Sequence, residues 1–185
     1  MRINIMGASG SGVTTLGEAL AKEIEYPYFD SDKYFWEPTT NPFTVRREIN
    51  SRNTMLSDAL AGKEQWVLGG PVMGWGLQPY PEVDLVVFLF VPPAIRMARV
   101  KKREFERYGD AIYNGARHKQ YVDFLAFAAS YDDPKTTTTS RTLHRQREWL
   151  QSLKCPVLEI VGDTSVADRL KQVHARIDRL RAASA

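Results

Sequence analysis

Met1-Arg-Ile-Asn-Ile-Met-Gly7-Ala-Ser-Gly10-Ser-Gly12-Val13-Thr14-Thr15-Leu-Gly17 opens the chain, and its reading decides the fold. A short apolar strand runs into the spacing G-x-x-x-x-G and then into a helix, the template of a phosphate-cradling loop. Gly7, Ala8, Ser9, Gly10, Ser11 and Gly12 supply the loop, and Val13, Thr14 and Thr15 begin the helix. Backbone N–H groups of such a loop turn inward onto phosphate oxygens, and the helix start adds its partial positive charge. Thr14 stands at the position of the magnesium-binding hydroxyl. Val13 stands where the template has lysine. That lysine meets the charge that develops in phosphoryl transfer, so its loss costs roughly several kcal/mol of transition-state stabilisation unless another cation substitutes. Lys22 lies more than two helical turns further on and does not substitute.

Outward from this loop the chain reads as one domain. Its 185 residues suffice for a sizeable core, and 43% hydrophobic with 25% charged residues is ordinary for a globular protein. A net charge of +3 is too small to imply nucleic acid. One cysteine, Cys155, excludes an internal disulfide framework and a cysteine-rich zinc site, and its place before Pro156 and an apolar run predicts a buried structural thiol. No segment reaches the roughly 18 apolar residues of a membrane span. The N-terminus reads as a strand followed by glycines rather than a signal peptide, so a cytoplasmic protein without a membrane partner is expected.

Strands are predicted at Arg2–Met6, Tyr26–Phe29, Gln65–Leu68, Leu85–Val91 and Val157–Val161. Leu85–Val91 is almost continuously apolar, as in a strand buried on both faces. Helices are predicted at Val13–Glu25, Thr44–Ala61, from Pro93 onward, and at Asn114–Tyr131, Arg141–Leu153 and Ser165–Ala182. Alternating strands and helices imply parallel pairing with right-handed crossovers, hence a three-layer α/β/α fold on a five-stranded parallel sheet. Ligands in such sheets lie beyond the carboxyl ends of the strands, where Gly7, Asp30, Asp32, Gly70 and Gly162 should converge.

After the fourth strand, Pro92-Pro-Ala-Ile-Arg-Met-Ala-Arg99-Val-Lys-Lys-Arg103 places Arg99 and Arg103 on one helix face. Here the chain resembles the P-loop kinases of the adenylate kinase and shikimate kinase group. In nucleotide kinases of that group a V-P corner and R-x-x-x-R open a mobile lid. The first arginine packs near adenine and the second reaches phosphate, roles the resemblance assigns to Arg99 and Arg103. Asp132-Asp133 with Arg141 look like the return arm of such a lid. Val161-Gly162-Asp163-Thr164 is similar to the loop that borders adenine.

The acceptor side resembles shikimate kinase more than the nucleoside monophosphate kinases. Leu68-Gly69-Gly70-Pro-Val-Met-Gly-Trp75 lacks the acid and arginine expected of the latter after the third strand. Asp30-Ser-Asp32 looks like the D-x-D whose second aspartate acts as base toward the acceptor hydroxyl and whose first lies near the metal. Trp36 and Trp75 flank this pocket, beside Gly69 and Gly70. Arg46, Arg47 and Arg52, expected on the helix that follows, are available to an acidic substrate.

The resemblance therefore implies a single P-loop NTPase domain over 1–185, with an acceptor-binding region at about 30–80 and a helical lid at about 104–140. It implies ATP and Mg²⁺, with Thr14 and Asp30 at the metal, and Asp32, Arg103 and Arg141 in catalysis. The expected partners are ATP or ADP and a small-molecule acceptor, in a monomer or homodimer. Glu104, Glu106 and Asp110 interrupt the basic helix and argue against nucleic acid. Because Val13 replaces the lysine, a non-catalytic nucleotide-binding module is the alternative.

Overall fold

The computed structural model describes residues 1–77, 82–136, 139 and 141–184. Its strands are β1 (Arg2–Gly7), β2 (Tyr28–Asp30), β3 (Trp66–Gly69), β4 (Leu85–Phe90) and β5 (Val157–Val161). Its helices are α1 (Val13–Glu23), α2 (Ser31–Phe35), α3 (Ile49–Leu60), α4 (Pro93–Tyr108), α5 (Gly115–Ser130), α6 (Leu143–Ser152) and α7 (Val166–Ser184), with a short 3₁₀ turn at Gly109–Tyr113. The strands pair in parallel in the order β2-β3-β1-β4-β5. The chain winds to one side of β1 and then to the other, so the carboxyl end of β1 lies at the switch point where such sheets bind ligands.

The side chains of β4 alternate between two layers, which explains its unbroken apolar run. Leu85, Val87 and Leu89 join Ile3, Ile5 and Val67 against Leu16 and Leu20 of α1 and Leu170, Val173 and Ile177 of α7. Val86 and Phe88 face the other way, with Met6, against Leu143, Trp149 and Leu150 of α6. Trp66 and Leu68 of β3 meet Leu56 and Leu60 of α3 on that second face. The result is the three-layer α/β/α arrangement. Pro93 occupies the first turn of α4, where its missing N–H costs nothing.

Two elements differ from the sequence expectation. The helix expected from Thr44 begins at Ile49, because Glu48 caps it by accepting from Asn50 N at 2.9 Å and Ser51 N at 2.8 Å. Residues 36–47 instead fold back as an irregular arm. Glu37 N donates to Val45 O and Arg47 N to Phe35 O, around an antiparallel bridge of Trp36 with Arg46. Arg46 and Arg47 therefore sit on this arm, and only Arg52 lies on α3. The second difference is α2, which follows β2 directly and was not expected. Asp30 caps it, its Oδ1 accepting from Asp32 N at 2.9 Å. Cys155 is half-buried rather than fully buried, and burial pushes its thiol up. Residues 78–80 of the expected acceptor region and 137, 138 and 140 of the expected lid lie outside the described residues.

Candidate active site

The glycine loop is shaped by backbone that only glycine tolerates in two places. Gly10 has φ 83° and Gly12 has φ 92°. A Cβ on Gly10 would lie 2.4 Å from Arg96 O of α4, so the loop rests directly on that helix. Ser11 N donates to Ala8 O at 3.0 Å, closing the turn. Gly12 caps α1 without any side-chain bond, leaving the first N–H groups of that helix facing outward from its end. Val13 packs against the core beneath, which explains its tolerance at a position that elsewhere carries a cation. Thr14 Oγ1 donates to Asp30 Oδ2 at 3.5 Å, so the two expected metal ligands meet.

An open cleft of about 1480 Å³ runs from this loop to the arm 36–47. Asp32 sits in it, on the first turn of α2. Enclosure by the cleft walls and the neighbouring Asp30 raise its carboxyl above the usual range, and Arg141, Arg103 and Arg107 oppose that rise. Three guanidinium groups gather about the ring of Phe35: Arg141 at 4.8 Å, Arg52 at 5.6 Å and Arg46 at 5.8 Å. Arg52 is spoken for, since it lies 4.2 Å over Trp75 and donates to Trp75 O at 2.9 Å. Arg141 makes no ion pair among the described residues, and its buried Nη2 has no partner. Burial lowers the Arg141 guanidinium, Asp32 counteracts this and Arg46 adds to it. The pocket beside Asp32 is thus positively charged.

Most expected site residues converge. Gly7, Ala8, Ser9, Gly10, Gly12, Val13, Thr14, Thr15, Asp30, Asp32, Trp36, Gly70, Trp75, Arg99, Arg103, Arg141 and Thr164 all line the cleft. Gly69, Ser11, Gly162 and Asp163 do not. Tyr28 covers Gly69, where a Cβ would fall 2.1 Å from the phenol oxygen. Ser11 is fully buried behind the loop. Asp163 is ion-paired to Arg99, which also lies 3.5 Å from Gly10 O. Gly162 has φ 99° and donates its N–H to Phe90 O, a turn that ends β5. The segment after α5 is anchored by an ion pair of buried Arg96 with Asp132.

Three arginines of the cleft were missed from the sequence, Arg107, Arg117 and Arg169. Arg107 lies two turns beyond Arg99 on α4, and helical spacing alone could have found it. Arg169 is 3% exposed and donates to Ser11 O at 2.7 Å. Its signal was a charge at the head of the buried stripe Arg169, Val173, Ile177 on α7.

No family model matches the chain. The chain is 42% identical over 172 residues, 92% of its length and 94% of the relative's, to the uncharacterized protein YqaC of Bacillus subtilis (strain 168). The chain belongs to the family of that protein. It is 29% identical over 140 residues, 69% of its length and 75% of the relative's, to a shikimate kinase of Bacteroides fragilis. In fold it is similar to a deoxyadenosine kinase from M. mycoides solved with bound dATP, with a TM-score of 0.60 at 13% identity, covering 96% of this chain and 100% of that one. By these similarities and this sheet the chain has the fold of the P-loop kinases and resembles their shikimate and adenylate kinase-like group. Among the described residues no helix is long and apolar enough to cross a membrane.

Proposed function

We propose that the protein is an ATP-dependent kinase that phosphorylates a hydroxyl of a small anionic acceptor. The observation that carries this reading is Asp32, whose carboxyl lies in the cleft beside the loop and within the field of Arg103, Arg107 and Arg141. The nucleotide would lie on residues 7–15, with Arg99 and Thr164 toward its base. The fit to a metal is favourable. Thr14 and Asp30 present two oxygens 3.5 Å apart, and Mg²⁺ is commonly held by one or two such ligands together with phosphates and water. When bound, the ion would draw charge from the phosphate oxygens.

The other roles belong to the chain. Asp32 would accept the hydroxyl proton of the acceptor. Its raised carboxyl is a better base than an ordinary aspartate, and the arginines oppose that rise. Arg103 on α4 and Arg141 beyond the return arm would meet the charge of the transferring group. Arg141 and Arg46 would hold the anion of the acceptor above the Phe35 ring. Trp36 and Trp75 would wall this pocket from water. The lid at 104–140 would close over the acceptor region at 30–80. A cytoplasmic enzyme drawing on cellular ATP is the setting this reading expects.

Val13 favours a second reading, a nucleotide-binding module without turnover, because its side chain is committed to the core. One experiment separates the two. The protein is incubated with Mg²⁺-ATP and a panel of hydroxy acids, sugar phosphates and nucleoside monophosphates, and ADP is measured. Acceptor-dependent ADP formation that disappears in Asp32→Asn supports the kinase. Tight ADP binding with no acceptor-dependent turnover, in the parent or in Val13→Lys, supports the module.

A further inference from the structure

Val13 leaves the loop without its usual cation, and the arginines of α4 do not fill that gap. Arg99 is ion-paired with Asp163. Arg103 lies against Glu104 and Phe124 and bears on Asp32 rather than on the loop. Arg99 also reaches Gly10 O at 3.5 Å, but a guanidinium from another helix touches the loop more closely. Arg169 of α7 donates from Nη1 to Ser11 O at 2.7 Å and from Nε to Thr164 Oγ1 at 3.0 Å. It comes so near Gly12 that a Cβ there would stand 2.9 Å from Nη1. Its Nη2 is buried and has no partner, although the side chain lines the cleft.

A buried unpaired donor on a charged group is costly and calls for a ligand. No carboxylate forms an ion pair with Arg169 among the described residues. Burial and the like charge of Arg99 both work against its ionisation, opposed only in part by Asp163, and an anion would relieve both. The open start of α1 lies at the same glycine, so helix amides and guanidinium offer positive charge to one place.

We propose that Arg169 is the fixed cation of this phosphate loop, its Nη2 donating to a phosphate oxygen of the bound nucleotide and so supplying from the last helix the charge that Val13 withholds. This inference rests on the nucleotide-binding reading above. It differs from compensation by the lid, since Arg169 is anchored in the sheet's own layer of helices and needs no closure to act. It also gives Gly12 a second reason to be glycine, the close approach of the guanidinium.

Calorimetry with ADP, pyrophosphate and adenosine tests it, using the parent, Arg169→Met, Arg169→Gln, Val13→Lys and the Arg169→Met/Val13→Lys pair. Thermal unfolding reports whether each variant folds. Arg169→Met should weaken ADP and pyrophosphate by about tenfold to a hundredfold, the scale of a lost charge-assisted hydrogen bond, and leave adenosine unchanged. Val13→Lys should restore pyrophosphate binding in the Arg169→Met background. If Arg169→Met does not fold, Arg169→Gln keeps a donor for Ser11 O, and it should show the same selective loss. Pyrophosphate affinity equal to that of the parent in a folded variant overturns the proposal. So does an equal loss of ADP and adenosine, which marks packing alone. A folded parent that binds neither ADP nor pyrophosphate overturns the nucleotide reading and this inference with it.

Discussion

On the loop side of the cleft the groups on offer to a ligand are backbone amides, held by glycines at positive φ and braced by Arg96 O and Arg169. On the far side they are side chains: Asp32 on a short helix, Arg46 on an irregular arm, Arg141 just before α6. The first side is made by local geometry between one strand and one helix. The second is assembled from three separate segments around the ring of Phe35. A side-chain change can leave the first intact, as Val13 does, whereas the second stands or falls with individual residues.

The sharpest break of the comparison is at Asp32. Asp32→Asn should lower turnover by roughly 10²–10⁴-fold, the scale of general acid–base catalysis. ATP affinity should stay unchanged, because the amides on the other side do not sense it. The pH profile carries a sign. A base must be ionised, and the Asp32 carboxyl is raised by enclosure and Asp30. Turnover should therefore fall on acidification at a higher pH than for an ordinary carboxylate. Arg141 pulls that carboxyl down, so Arg141→Met should move the acid limb of kcat upward. An acid limb that stays in place would separate Arg141 from the base.

A change on the loop side should behave in the opposite way. Gly10→Ala puts a methyl 2.4 Å from Arg96 O in a backbone of φ 83°. The cost is about 1–3 kcal/mol of stability, as for a non-glycine residue in a strained backbone region. Chemical denaturation should show that loss. ADP affinity should fall with it, since the amides turn away from the phosphates. The binding of an acceptor analogue in the absence of nucleotide should survive.

The same division governs what the sequence discloses. The loop was legible because its constraints are local: an apolar strand, glycines at set spacing, a helix. The parallel sheet followed from the alternation of apolar segments, and the run Leu85–Phe90 marked a strand buried on both faces. Asp30 and Asp32 were legible by resemblance, and they stand next to Thr14 and to the arginines. The arm 36–47 was not legible, because its course depends on the bridge of Trp36 with Arg46 and on the Glu48 cap, neither of which follows from periodicity. Gly69 looked like an acceptor contact, yet its smallness serves the phenol ring of Tyr28. Arg169 escaped notice because it is a long way from the loop in sequence, and only the packing of α7 brings it to Ser11.

The smallest predicted effect distinguishes two neighbours on that arm. Arg47 donates to Tyr34 O at 3.0 Å and Trp36 O at 3.2 Å and pairs with Glu37 at 2.8 Å, so its charge is spent in holding the arm. Arg46 has its guanidinium over Phe35 and adds to the positive charge felt by Arg141. Arg47→Ala should therefore cost about 1–2 kcal/mol of stability through its lost bonds to the carbonyls. Arg46→Ala should leave stability unchanged and raise the acceptor KM by about fivefold, the modest worth of an exposed cation near an anion. Because Arg46 is exposed, added salt should shrink the Arg46→Ala effect toward nothing. Salt should leave the Arg47→Ala effect largely in place, since that residue acts mainly through hydrogen bonds. Measuring KM and unfolding for both variants at low and high salt separates the roles. Equal KM changes in the two variants would mean that the arm acts only as a scaffold, and the acceptor anion would then rest on Arg141 alone.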